Sequence, residues 1–174
     1  MYQHYLSPLM DTNQFWRLIE ASQNKKRDCS KQAAKLEKLL SRLNAEEILG
    51  FENIFTTLLN ESYRWDLWGA AYIINGGCSD DGFEYFRYWL IAQGRAYFEA
   101  AMQDSERAGD GAGDEQDTEC EDIRYATREL YFAKTGQDIG EVADALNYTA
   151  EPMGAPWTEE DLKARFPRLC EKFG

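Results

Sequence analysis

The sequence predicts an all-α protein, a single compact helical domain of about six to eight helices with a central aromatic-rich helix pair. Three observations predict it. Apolar residues recur at helical spacing along most of the chain, capping residues and glycine stops bracket those runs, and no period-2 run lies between hairpin turns. At 174 residues the chain suits one domain with a buried core.

Asp11 and Thr12, followed by Phe15, Leu18 and Ile19, start a first helix that runs to about Ser22. The basic stretch Lys25-Lys26-Arg27-Asp28 leads to a second at 29–43, striped by Leu36, Leu39, Leu40 and Leu43. Asn44 with Glu47 caps a third, which buries Ile48, Phe51, Phe55 and Leu58. Trp65 to Ile74 is apolar on every side, as a helix wrapped by neighbours must be, and Asn75-Gly76-Gly77 ends it. Ser79 caps a fifth helix with Asp80, Asp81 and Glu84 in its first turn; it either continues through Gly94 to Met102 or breaks there.

Residues 104–117 hold six acids, three glycines and no large apolar side chain, which predicts a mobile, solvated acidic loop. A helix is expected at 118–134 with Gly136 past its end, while 137–148 is ambiguous. Thr158 with Asp161 starts a last short helix that stops at Pro167, and Leu169 and Phe173 pin the terminus. Residues 1–9 read as an N-terminal extension before the domain at 10–174, and translation beginning at Met10 is an equal alternative.

Composition narrows the function. With 19 basic and 31 acidic side chains the net charge is −12, against the basic face that nucleic acid or an anionic membrane requires. The hydrophobic share of 44% is too high for disorder. A mean hydropathy of −0.62 and the lack of an 18-residue apolar run exclude a spanning helix. The N-terminus lacks the features of a secretory signal, so a cytoplasmic location is expected. Cys29, Cys78, Cys120 and Cys170 form no C-x-x-C pair and read as reduced thiols.

Candidate chemistry concentrates in residues 65–95. On a regular helix Asp80, Glu84 and Arg87 share an arc of about 60°. One reading is a recessed polar site beneath Trp65 and Trp68, where Arg87 and Arg95 hold an anion and Asp80, Asp81 and Glu84 a cation. The other is ion pairing and capping within an aromatic helix. Asp-Asp at a helix start is common for capping alone, so no metal or other cofactor is assigned. Cys78 stands where a helix start lowers a thiol pKa, but the one histidine, His4, lies in the tail, which disfavours Cys-His, zinc and serine-triad chemistry. Neither a phosphate loop nor an EF-hand is present; the spacing of Asp110, Asp114 and Asp117 departs from the latter.

The start D-T-N-Q-F-W-R-L-I-E, the block W-D-L-W-G-A-A-Y-I-I-N-G-G-C-S-D-D-G-F-E-Y-F-R-Y-W-L-I-A-Q-G-R, and the later K-T-G and P-M-G-A-P-W resemble a bacterial domain-of-unknown-function family, number 4240, over about residues 10–173. The resemblance implies a bacterial, stand-alone domain and carries over no activity and no site residue. From the residues themselves the leading expectation is a non-enzymatic, acidic cytosolic protein that binds a basic protein partner, as an immunity protein of a bacterial toxin pair does. The acidic edge at Asp80, Asp81 and Glu84 and the 104–117 loop supply its surface. The alternative is a metal-assisted hydrolase or a small-molecule or nucleotide binder that uses Asp80, Asp81, Glu84 and Arg87.

Overall fold

A computed structural model describes residues 10–113, 118–144 and 150–174. The protein is all-α. In chain order the helices are α1 (Thr12–Ser22), α2 (Cys29–Leu40), α3 (Ala45–Glu61), α4 (Trp65–Ile74), α5 (Asp80–Ala92), α6 (Arg95–Gln103), α7 (Arg128–Thr135), α8 (Glu159–Arg165) and α9 (Pro167–Phe173). Short 3-10 segments occupy Ser105–Gly109, Glu121–Ala126 and Ile139–Glu141. Among the described residues there is no strand, only an isolated parallel bridge between Arg64 and Met153. None of their helices is long and apolar enough to cross a membrane. The expected extension at 1–9 with His4, and residues 114–117, lie outside the described residues, as do 145–149.

The helix starts follow the capping chemistry. The Asn44 side chain accepts from the Glu47 N–H while the Glu47 carboxylate accepts from the Asn44 N–H, each at 2.9 Å, so two orphan donors of α3 are satisfied together. Asp11, Asp28 and Ser79 cap α1, α2 and α5 through one side-chain acceptor each. Gly136 closes α7 in the left-handed region, at φ 72°.

Among the described residues the nine α-helices exceed the six to eight expected, for two local reasons. The long fifth helix breaks at Gly94, whose φ of 92° a continuous helix cannot contain. Pro167, expected only to stop a helix, also starts one, because its missing N–H falls at an N-terminal position where no partner is needed.

Burial is densest in α5, where every residue from Phe86 to Ala92 is buried. Its neighbours supply Phe15, Trp16 and Ile19 from α1, Leu36 and Leu40 from α2, Phe51, Phe55 and Leu59 from α3, and Leu67 and Ala71 from α4. The wrapping expected of α4 is partial. Leu67, Gly69, Ala70, Ala71 and Ile73 are buried, but Trp65, Trp68 and Tyr72 form a half-buried edge against which Trp157 packs.

Three further expectations are corrected. The described part of the 104–117 stretch is packed rather than solvated: Ala108 and Ala112 are buried, and the Tyr97 hydroxyl donates to the Ala108 carbonyl at 2.7 Å. Its small residues permit close approach, not looseness, since a Cβ on Gly109 would sit 2.4 Å from Leu169 Cδ2. The helix expected at 118–134 is irregular at its start, then a 3-10 segment, and α-helical only from Arg128. Cys29 and Cys120 form a disulfide across 91 residues, with Cα atoms 5.5 Å apart, so only Cys78 and Cys170 are free. Sequence spacing has no bearing on that pair, because the packing of α2 against the Glu121–Ala126 segment brings the two together.

Gly109→Ala overpacks the contact with the buried Leu169 and lowers stability by about 1–3 kcal/mol. Urea unfolding of the variant against the parent checks this, and an unchanged midpoint contradicts the close-approach explanation.

Candidate functional site

The residues singled out between 65 and 95 separate into three environments. Trp65 and Trp68 stack with centroids 5.4 Å apart, Trp68 stacks on Phe83 at 5.0 Å, and Tyr63 continues the stack at 6.2 Å from Phe83. Two indoles here serve the backbone: Trp68 Nε1–H donates to the Cys78 carbonyl at 3.0 Å, and Nε1–H of Trp157, which packs edge-on to Trp65, to the Trp65 carbonyl at 2.8 Å.

Arg87 lies inside that stack, 1% exposed, with its guanidinium carbon 4.8 Å from the Phe83 centroid and 5.1 Å from that of Tyr63. Nη1–H donates to the Leu59 carbonyl at 2.9 Å and Nε–H to the Phe83 carbonyl at 3.3 Å. Leu59 belongs to the last turn of α3, where carbonyls lack intrahelical partners, so a buried cation caps that helix and meets the negative end of its dipole.

The acids face outward. Asp80 and Asp81 are exposed, and half-buried Glu84 accepts from the Tyr88 hydroxyl. Arg95 lies apart at the start of α6, paired with Glu99 at 2.7 Å and donating to Asn13 at 2.9 Å. The arc of Asp80, Glu84 and Arg87 therefore joins a surface to an interior, and does not frame one open pocket.

The carboxylates at the start of α5 are joined by others from residues 119–122. A Cβ on Gly82 would lie 3.3 Å from Glu119 Oε1, which puts that carboxylate against the first turn of α5. The Cys120 N–H donates to the Tyr85 carbonyl at 3.1 Å. The half-buried Tyr85 hydroxyl is held above its ordinary pKa by desolvation, then by the charges of Glu121, Asp81 and Glu84. Tyr125, 52% exposed, donates to Glu121 Oε1 at 2.7 Å. Among the described residues no lysine or arginine pairs with Asp80, Asp81 or Glu121.

Cys78 behaves oppositely to the sequence expectation. Burial first, then the charges of Glu119 and Asp80, push its thiol from 9.0 to about 12, and Arg87 opposes this without reversing it. The thiol precedes the capping residue and gains less from the helix start than it loses to desolvation.

A second polar site was missed. Glu52, 3% exposed, accepts from Arg124 at Oε1 and from the Thr127 hydroxyl at Oε2, the latter at 2.7 Å. Desolvation works to lower the Arg124 guanidinium, but the Glu52 charge and hydrogen bond and Tyr88 outweigh it and hold it above its ordinary value. The pair borders a cleft of about 170 Å³ whose rim is the Arg128–Asp138 ion pair at 2.6 Å. One signal was legible: Glu52 falls at i+4 from Ile48 and three before Phe55, an acid on an apolar stripe. Its partner, 72 residues away, was not. Both oxygens are taken, which makes the cleft a neutralised interior joint. Among the described residues no group of three or more His, Cys, Asp or Glu side chains is arranged to hold a metal ion.

These features define an all-α protein with a carboxylate- and tyrosine-bearing face, a buried Glu52–Arg124 pair and a buried Arg87 held by carbonyls and rings. The chain belongs to the family described as a protein of unknown function (DUF4240), whose model matches residues 10–133. That span contains the acidic face, both disulfide cysteines and the Glu52–Arg124 pair, and leaves α8 and α9 outside. No curated protein and no solved structure matches the chain.

Arg124→Met strands a buried carboxylate and costs about 3–5 kcal/mol, whereas Arg124→Met combined with Glu52→Leu recovers most of that loss in denaturant unfolding. A double-variant loss equal to the sum of the two single-variant losses would mean that the pair is not coupled. For Cys78, the folded thiol keeps its proton at pH values where the unfolded chain releases it. Its contribution to stability is therefore complete below about 9.0 and is lost as the pH rises toward 12. Native-state alkylation of Cys78 keeps accelerating above the pH at which the unfolded chain levels off; identical profiles refute the desolvated thiol.

Proposed function

We propose that this chain is a non-enzymatic, acidic binding domain, built round the aromatic pair α4 and α5, that acts in the cytoplasm by docking a basic protein partner. The mode of action is the one an immunity protein uses against a basic toxin: occlusion by a complementary charged surface. One observation carries the reading. Carboxylates from two separate parts of the chain meet at the start of α5: Glu119 Oε1 lies 3.3 Å from where a Gly82 Cβ would stand, the Cys120 N–H donates to the Tyr85 carbonyl, and exposed Tyr125 donates to Glu121 beside them. Like charges gathered at a surface destabilise the free monomer slightly and are relieved by a cationic partner. The same charges steer the encounter, and flanking tyrosines supply the desolvated contact area from which affinity comes.

The expected partner is basic and retained at low salt by the immobilised full chain in extracts of a bacterium that carries it. Asp81→Lys with Glu121→Lys slows association by roughly tenfold at low salt and by little at high salt, the mark of steering. Tyr125→Ala instead speeds dissociation. Failure to retain any basic protein, or retention indifferent to the charge reversal, defeats the reading.

A further inference from the structure

The stretch from Thr118 to Ala126 is fastened to the rest of the fold in two ways. Its later half is held by burial, with Ile123 2% exposed and Arg124 joined to Glu52. In its earlier half Thr118 and Cys120 are buried as well, 3% and 1% exposed, and the attachments include the Thr118 hydroxyl to the Asn75 side chain, the Cys120 N–H to the Tyr85 carbonyl, the Ser30 hydroxyl to Asp122, and the Cys29–Cys120 disulfide. Only the last is covalent. That earlier half bears Glu119, Glu121 and Asp122, the carboxylates that complete the acidic face begun by α5.

The two sulfurs are unequally placed. Cys29 is the first residue of α2, half-buried, at the positive end of a 12-residue helix and two residues before Lys31. Cys120 is 1% exposed. A small thiol or disulfide from solution therefore meets Cys29 first, and Cys120 is the internal partner that resolves the adduct.

We infer that Cys29 and Cys120 form a redox clasp that sets whether the acidic face is assembled, a regulation that rests on the docking function proposed above. To close it, the Cys29 thiolate attacks an external disulfide such as oxidised glutathione and expels one glutathione thiolate; Cys120, giving up its proton, then displaces the second. Two protein thiols lose two electrons, and one glutathione disulfide becomes two thiols. Opening is the reverse, with reduced glutathione attacking Cys29 and the Cys120 sulfur leaving and taking up a proton. In a reducing compartment a lasting disulfide is uncommon, and a reversible pair of this kind serves as a sensor.

The test uses the full chain equilibrated with oxidised or reduced glutathione. Alkylation after unfolding yields two reactive thiols in the oxidised protein, those of Cys78 and Cys170, and four in the reduced one. Amide exchange at 118–122 speeds by roughly tenfold or more on reduction while that of α3 and α5 is unchanged. Binding of a decalysine peptide weakens several-fold, and oxidised glutathione restores it. Cys29→Ser matches the reduced protein under both conditions. A pair that stays closed in millimolar reduced glutathione, or exchange at 118–122 that is equal in both states, overturns the clasp. Faster exchange with unchanged decalysine binding keeps the clasp and removes the docking function instead.

Discussion

A guanidinium with 1% exposure governs how three helices meet. Burying a charge costs several kcal/mol unless its donors and its field are answered, and Arg87 is answered from two directions. The last turn of α3 offers the Leu59 carbonyl, and the rings of Tyr63 and Phe83 offer their faces. Neither can be supplied unless α3 ends where it does and the chain turns at once into α4. Trp68 stacks on Phe83 and Trp65 on Trp68, which ties the register of α4 to the same buried cation. Apolar burial supplies the bulk of the stability, and Arg87 selects one arrangement among those that burial alone would permit.

Local chemistry was legible. The reciprocal Asn44–Glu47 cap, the Ser79 start and the left-handed Gly136 follow from side-chain oxygens and missing Cβ atoms within a few residues of one another. What was not legible depends on approach between distant segments. The Ser105–Gly109 stretch looks like solvated loop because its residues are small and polar, and it is packed because small residues let α9 come close. Cys29 and Cys120 look unrelated until α2 and the Glu121–Ala126 segment are brought side by side.

The candidate site divides along the same line. Angular position on α5 put Asp80, Glu84 and Arg87 on one arc, since period alone decides which residues share a helix face. It could not assign depth. Arg87, on nearly the same bearing, passes inward because its aliphatic stem can follow Phe83 and its head finds a carbonyl, whereas the shorter carboxylates stay at the surface. Glu52 shows the converse, an acid whose position on an apolar stripe announced burial but whose cation arrives from a segment no local pattern connects to it.

The closure of the C-terminal segment over the family-matched core has its own consequence. Leu169 packs on Gly109, Lys172 Nζ–H donates to the carbonyls of Gly109 and Ala112, and Arg168 pairs with Glu106 at 2.9 Å, so elements outside residues 10–133 complete elements inside them. A chain cut before Pro167 would uncover the buried Ala108 and Ala112 and leave the carbonyls that Lys172 now serves facing water, so loss of the last turns and added bulk at Gly109 would damage one and the same joint.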